Sequence, residues 1–394
     1  MKPLADGDKQ SEWVLLGAGH THLHILEQWR QHPVQGVHLT CVSNRCFAAY
    51  SGMLPGVLAG DYSTEQMQVD LVRRCEAVGA RLVLGETVGL DRSQRRLLLQ
   101  DQPPLCYDQL SIGIGSVPAT VAGSTSVDQH GQALSIKPMQ TFLKRLEQQV
   151  SQAIVDGSRL LKVAVVGGGA GGTEIALCLP AWMSNHWPKQ PYELSIIHSG
   201  SRLCKSFSER ASRLIATIVQ RRQYRLHLNS TAVEVDASGV VVQSLTGIRQ
   251  HMPADVVIWA VGAVGPPLFA ALDLSKDPRG FLLTDQHLRS VDDPAIFVVG
   301  DAGTCAPSPN PKAGVYAVRQ GPVLWDNLQS AQAGESHVGR SLADWQPQSS
   351  YLALMNTGNR RAILAYRQLA TQGRWCWRLK DFIDRRFMRK HQRY

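Results

Sequence analysis

The sequence predicts an α/β fold of two Rossmann-like dinucleotide-binding domains with a small C-terminal region. Three observations predict it. The run Leu160–Ala176, LLKVAVVGGGAGGTEIA, reads as strand, tight turn and helix, with Gly167-x-Gly169-x-x-Gly172 at the turn. A second run, Trp13–Leu26, WVLLGAGHTHLHIL, repeats the pattern around Gly17 and Gly19, 150 residues earlier. A chain of 394 residues also exceeds one typical core, so two or three domains are expected.

Each glycine of the later turn has its own task. Gly167 permits the turn, Gly169 lets a pyrophosphate reach the backbone, and Gly172 lets helix and strand pack closely. Free N–H groups at the helix start, with the helix dipole behind them, then hold the phosphates. Two such turns imply two nucleotide cofactors and electron transfer between them. The earlier turn departs from the pattern at its third glycine, where His22 stands.

Composition narrows the class. Hydrophobic residues at 44 % and charged residues at 19 % describe an ordinary globular chain. No run of about 18 apolar residues occurs, so no spanning helix is expected. The polar first dozen residues lack the basic start and apolar run of a signal peptide. The cytoplasm, or the cytoplasmic face of a membrane, is the expected location. Eight scattered cysteines without a CxxC pair read as reduced thiols. The net charge of +9 is concentrated at one end: Arg374–Tyr394 holds eight Lys or Arg against Asp381 and Asp384.

Along the chain, the first motif helix should run to about Gln31. The strand Val37–Val42 ends in Ser43 and Asn44, where an acid would hold a ribose, so recognition there is expected to rest on hydroxyl and amide groups. Phe47–Gly60 reads equally as a loop and short helix covering a ring system or as a surface turn. A helix over Asp70–Ala80 and a strand at Arg81–Leu84 follow, then strands within Val88–Gln100 and Leu105–Ile112. A glycine turn through Gly115 closes this lobe. The polar helix Met139–Ile154 leads into the second lobe, whose strand Leu194–Ile197 ends in His198 and Ser199, with Arg202 nearby. That end leaves NADH and NADPH undecided. Beyond it come a helix over Ser208–Arg222, a strand at Arg225–Leu228, a hairpin from Ala232, and a buried strand, Asp255–Val261, reaching Gly262. The run Ala295–Ala306, AIFVVGDAGTCA, delivers Gly300 and Asp301 to a turn where a carboxylate can accept from a ribitol hydroxyl. Asn310-Pro311 reads as a cap with proline at the first helical position. Lys312–Leu328 reads as the helix, its positive end available to an anionic cofactor ring.

Read together with the glycine and GDAG turns, the segments GAGHTH, AAYSGMLPGVLAGDYS, IKPMQTF, GVYAVRQGPVLWDNL and KDFIDRRFM carry a family resemblance. The chain resembles the two-dinucleotide flavoproteins of the pyridine nucleotide-disulfide oxidoreductase superfamily. Within it, the chain is similar to the type II NADH dehydrogenase branch, and most of all to FAD-dependent reductases found fused ahead of selenide, water dikinase. The resemblance runs from residue 17 to 388. It implies an FAD-binding domain over 1–155 and 276–333, an NAD(P)H-binding domain inserted over 156–275, and a C-terminal region over 334–394. It implies that Gly17, Gly19 and Asp301 serve FAD, with Lys312 beside the flavin, and that Gly167, Gly169 and Gly172 serve NAD(P)H. Glu174 matches the acid that lies by the nicotinamide in type II dehydrogenases; an acid there could equally serve only a helix N-terminus. Glu174 and Lys312 are the catalytic candidates. His20, Ser43, Gly115, Gly262 and Gly300 complete the expected cofactor-binding set, and Arg319 and Gln320 would lie on the acceptor side.

Other chemistries are weaker fits. Cys41 and Cys46 have a CxxxxC spacing, but Cys41 sits inside an apolar strand, where a small buried side chain is expected. Cys305, beside the GDAG turn, reads as a small residue near the ligand. His20, His22 and His24 lack a completing ligand, so no metal site is expected. In the basic tail, positions 375, 379, 382, 383 and 387 form one apolar helical stripe suited to an anionic membrane surface, where a quinone would be met. The alternative is a helix docked on the body with a solvated basic face. No nucleic-acid fold is recognisable.

The expected activity is hydride transfer from NAD(P)H to FAD, followed by electron transfer to a second acceptor, a quinone first. Hydride transfer needs rings stacked in register rather than a side-chain nucleophile, which suits a chain rich in cofactor turns. A soluble reductase acting on a selenium or sulfur species or a protein partner stays open, as does a non-enzymatic redox sensor. The oligomeric state is equally open, a homodimer included.

Overall fold

The computed structural model describes residues 10–120, 133–154, 159–333 and 341–394. The predicted domain boundary at 155/156 and part of the predicted loop after Gly334 lie outside the described residues.

Apolar runs buried on both faces make parallel sheets here. In the first sheet, Ser11–Leu16 is central. Val37–Ser43 and Arg81–Leu84 lie to one side of it, and Gln109–Ile112 and Ile296–Val298 to the other. Alternation divides its side chains between two cores: Trp13 and Leu15 join one, Val14 and Leu16 the other. The last of these strands comes from far along the chain. Between them the chain builds a second parallel sheet in the order Ala133–Ser135, Val256–Trp259, Leu161–Val166, Tyr192–Ile197, Arg225–His227. This sheet draws its edge strand, Ala133–Ser135, from before residue 155.

The strands expected within Val88–Gln100 form as Thr87–Asp91 and Arg96–Leu99, paired antiparallel. A second antiparallel unit pairs Ser230–Asp236 with Gly239–Ser244 and adds a third strand, Arg249–Pro253. That strand was not legible, because its residues RQHMP are almost all exposed and carry no apolar alternation. The C-terminal region is a three-stranded antiparallel sheet, Ala353–Asn356, Ala362–Tyr366 and Leu369–Gly373, leading into the helix Arg374–His391.

One predicted helix start is corrected. The helix begins at Gly314, not Lys312, and runs to Ala333. Asn310 does not cap it: its side chain accepts from Trp345 Nε1 at 3.3 Å and donates to the Pro311 carbonyl at 3.0 Å.

The first motif helix, His20–Gln31, buries a charge. Arg74, 0 % exposed, donates to Glu27 and to the Arg393 carbonyl at 2.7 Å, which fastens the C-terminal tail to the first lobe. Burial alone would raise the Glu27 pKa, but hydrogen bonds from Arg30, Arg74 and Gln31 outweigh it and bring it to about 2. The ion pair's stabilisation is therefore present above the unfolded carboxylate pKa and lost as pH falls toward 2. Arg74→Ala removes the buried partner and leaves Glu27 only Arg30 and Gln31, and a loss of about 1.5–3 kcal/mol is expected in denaturant unfolding at neutral pH.

Candidate functional site

The first glycine turn is locked by its neighbours. Gly17 has φ +90°, and a Cβ on it would stand 2.8 Å from the Gly113 carbonyl oxygen. Its N–H donates to the Val42 carbonyl at 2.7 Å, and the Gly113 N–H to that of Leu16 at 2.8 Å. Gly19 precedes the motif helix with no side-chain cap, so the first N–H groups are left for a phosphate. His22 lies buried beneath the turn. Its ring nitrogens reach the Gly17 carbonyl at 2.5 Å and Ser111 Oγ at 2.8 Å. Gly113 makes the room, since a Cβ there would meet the His22 ring at 2.6 Å. The missing third glycine is thus supplied from the neighbouring strand. Burial lowers the His22 pKa to about 4, so the ring is neutral.

Ser43 stands at the end of its strand, as expected, and bonds its own turn. Its hydroxyl donates to the Arg45 carbonyl at 2.8 Å and accepts from the Arg45 N–H at 3.2 Å. Asn44 instead holds Glu86 at 3.0 Å, on the edge of a cavity of about 690 Å³ lined also by Arg45 and Phe47. An acid is therefore present at this strand end, but from the next strand's loop.

The Gly300–Asp301 turn packs beside Gly115, which has φ +77°. Asp301 Oδ2 accepts from Ser116 Oγ at 3.1 Å and stands 3.7 Å from Lys137 Nζ. Lys137 also donates to the Ser116 carbonyl at 2.9 Å. Lys137 was missed as a site residue, although it lies in the quoted IKPMQTF segment. Gln320 is buried, and its Oε1 accepts the Gly300 N–H at 2.6 Å, which ties the turn to the long helix. Arg319 is exposed beside it. Lys312 donates to the Gly303 carbonyl and to Thr304 Oγ1, and stands 4.0 Å over the Phe281 ring. Burial lowers its pKa to about 8 against the pull of Asp301 and Asp277. His20 opens the motif helix, 5.3 Å from the Tyr50 ring and 5.7 Å from that of Phe387. Burial lowers its pKa to about 4, with Asp301 opposing.

The second glycine turn is tighter. Gly167 has φ +118°, and a Cβ on it would stand 2.1 Å from the Ala260 carbonyl oxygen. A Cβ on Gly172 would stand 2.0 Å from the Gly167 carbonyl oxygen. Gly169 and Gly262, by contrast, have nothing within 4 Å of that position. The helix Ala170–His186 starts after Gly169 without a side-chain cap.

Glu174 lies beyond the first turn of that helix and stabilises no helix end. Its Oε1 accepts the Asn356 N–H at 2.6 Å. Burial raises its pKa to about 7, with Lys380 and the Asn356 N–H pulling down and Asp384 pushing up. Around it, the C-terminal helix contributes a buried polar cluster. Lys380 Nζ pairs with Asp384 Oδ2 at 2.9 Å and donates to the Gly52 carbonyl at 2.7 Å, while Tyr50 donates to Asp384 Oδ1 at 3.1 Å. Asp61 accepts from Asn356 Nδ2 at 3.0 Å and from Trp377 Nε1 at 2.9 Å. Tyr50 stacks on Phe387 at 4.4 Å. Sequence reasoning missed Lys380, Asp384, Asn356 and Asp61. The available signal was Lys380 and Asp384 four apart on one helical face.

The open space at Gly169, the uncapped helix starts and the carboxylate at Asp301 fit two dinucleotides, one on each sheet. That arrangement defines an FAD- and NAD(P)H-dependent oxidoreductase. The chain belongs to the pyridine nucleotide-disulphide oxidoreductase family, whose pattern matches residues 11–321. It is similar to the NADH dehydrogenase-like protein YutJ of Bacillus subtilis, 22 % identical over 330 residues, covering 82 % of this chain and 84 % of the relative. It is also similar to the demethylphylloquinone reductase NdbB of Synechocystis, 22 % identical over 303 residues, covering 75 % and 72 %. The fold matches the sulfide:quinone oxidoreductase of Aquifex aeolicus with a TM-score of 0.80 at 17 % identity, covering 97 % and 91 %.

Proposed function

We propose that the chain passes electrons from NAD(P)H through FAD to a quinone at an anionic membrane surface. The observation that carries this is the outer face of the C-terminal helix, whose inner face buries Cys376 and Met388 beside a polar pair. Its polar residues Lys380 and Asp384 are buried against the Tyr50–Glu174 side, while Trp375 and Phe382 are each 54 % exposed. Arg378, Arg386 and Arg389 are exposed with them. Apolar side chains among cations suit the interface of an anionic bilayer. No described helix is long and apolar enough to cross a membrane. The relative NdbB, by its name, reduces a quinone.

Gly17, Gly19 and His20 would hold the flavin dinucleotide with Gly115, Gly300, Asp301 and Lys312. Gly167, Gly169, Gly172 and Gly262 would hold NAD(P)H. FAD held there would supply the hydride-accepting and electron-releasing chemistry. Lys312, still largely cationic near neutral pH, offsets negative charge on the ring system. Tyr50 and Phe387 exclude water from that side. Glu174, whose pKa burial raises to about 7, can take up or release a proton near neutrality while Oε1 stays on the Asn356 N–H.

The test is NAD(P)H oxidation by the purified yellow protein with and without a soluble ubiquinone analogue. Quinone should accelerate turnover severalfold over oxygen alone; an unchanged rate would remove quinone as acceptor. For the surface, Trp375→Ser combined with Phe382→Ser should lower co-sedimentation with phosphatidylglycerol vesicles about tenfold. Undiminished co-sedimentation would assign membrane contact elsewhere.

A further inference from the structure

The corner where the second lobe would meet the adenosine ribose is basic and contains no acid. Strand register places it. Ile197 pairs with Val166, the residue before Gly167, so His198 stands directly beside the glycine turn. A carboxylate at this position grips both ribose hydroxyls of an unphosphorylated dinucleotide. Here the chain reads HSGSRLCK from His198 to Lys205.

That segment is fastened to the phosphate loop. The Gly168 N–H donates to His198 Nδ1 at 3.2 Å, and the Cys204 N–H donates to the Gly168 carbonyl at 2.8 Å. Leu203 packs so closely that a Cβ on Gly168 would stand 2.5 Å from it. The segment that carries Arg202 and Lys205 is thereby anchored beside the turn. Arg202 donates to Ser212 Oγ at 2.9 Å and to the Lys205 carbonyl at 3.0 Å, both neutral acceptors. Lys205 is exposed. Neither cation has a carboxylate partner among the described residues. Nearby acids are used elsewhere: Glu193, at the opposite end of the strand, pairs with Arg225, and Glu209 pairs with Arg213. The next strand ends in His227, whose carbonyl accepts the His198 N–H at 2.8 Å, and then Asn229 and Ser230; it adds no acid either.

Two cations without counter-ions, on a rigid turn at the 2′ side of a ribose, want an anion. We propose that this lobe selects the 2′-phosphorylated nicotinamide dinucleotide, NADPH, over NADH, with Lys205 and Arg202 as the specificity-determining residues. The proposal deepens, and rests on, the assignment of this lobe to NAD(P)H.

The test has two arms on the flavin-loaded full chain. In the first, kcat/KM is measured for NADPH and NADH with one artificial acceptor. NADPH should be favoured about tenfold or more, and Lys205→Glu should cut that preference about tenfold. Equal or better use of NADH, or a preference unchanged in both Lys205→Glu and Arg202→Gln, overturns the proposal. In the second arm, calorimetry compares adenosine 2′,5′-bisphosphate with 5′-AMP, independently of turnover. The bisphosphate should bind about tenfold tighter. If it binds no tighter, the proposal falls even when both nucleotides bleach the flavin. If it binds tighter but neither nucleotide bleaches the flavin, the 2′-phosphate inference holds and the dehydrogenase reading is what fails.

Discussion

Gly167→Ala and Gly169→Ala are expected to separate fold from binding within one three-residue turn. At Gly167 a methyl group meets the Ala260 carbonyl at 2.1 Å in a backbone conformation, φ +118°, that L side chains rarely adopt. Neither side can give, because both partners are backbone in adjacent strands. A stability loss of about 3–5 kcal/mol is expected, read as a lowered denaturation midpoint. At Gly169 the backbone is ordinary, φ −71°, and nothing lies within 4 Å. Its methyl group is harmless to the fold and intrudes only on the space a pyrophosphate would fill. The expected result is an unchanged midpoint with the KM for NADPH raised at least about tenfold. Equal effects on stability would remove the packing contrast, and an unchanged KM in Gly169→Ala would mean the turn holds no pyrophosphate.

That contrast also marks what was legible in the sequence. Glycines announce a tight turn because no other residue can take φ +118° beside a carbonyl. The central strands announce themselves through short, mostly apolar runs such as Trp13–Leu16 and Val163–Val166, buried on both faces. The His22 substitution was legible as a departure, but its remedy, Gly113, lies 91 residues away and becomes a neighbour only through strand pairing. The same holds for the polar cluster. Lys380 and Asp384 belong to a tail whose composition reads as a solvated basic face. Only the docking of that helix on Gly52, Tyr50 and Asn356 turns two surface-looking charges into a buried pair. Ser43 illustrates an ambiguous local signal. A hydroxyl at a strand end can bond its own turn as readily as a ligand, and here the Arg45 backbone wins. The Asn-Pro cap was a sound local signal overridden by Trp345, a residue 35 positions downstream.

Glu174→Gln is expected to abolish a pH dependence that the wild-type protein should show near neutrality. The amide oxygen of glutamine can keep the Asn356 N–H bond, so the fold around it is retained. What disappears is a carboxyl whose pKa burial has raised to about 7. Reduction of a quinone to a quinol takes up two protons, and a carboxyl protonated below pH 7 can supply one of them, the other coming from solvent. Wild-type turnover with quinone should therefore fall as pH rises through about 7. In Glu174→Gln it should be flat and about a hundredfold lower, at the bottom of the range for a lost acid–base group. Bleaching of the flavin by NADPH, which moves a hydride and needs no such proton, should change only a few-fold. Stability supplies a second reading with a definite sign. A raised carboxyl pKa means that the native state holds its proton longer than the unfolded chain. This contribution is fully present below about pH 4.5 and is lost as pH rises through about 7. The glutamine variant escapes that loss. It should be the more stable protein at pH 8, by on the order of 1–3 kcal/mol, and no more stable than wild type at pH 4. A variant that keeps the wild-type pH profile would place the proton donor on another member of the cluster, with Asp384 next in line because Tyr50 and Lys380 already converge on it.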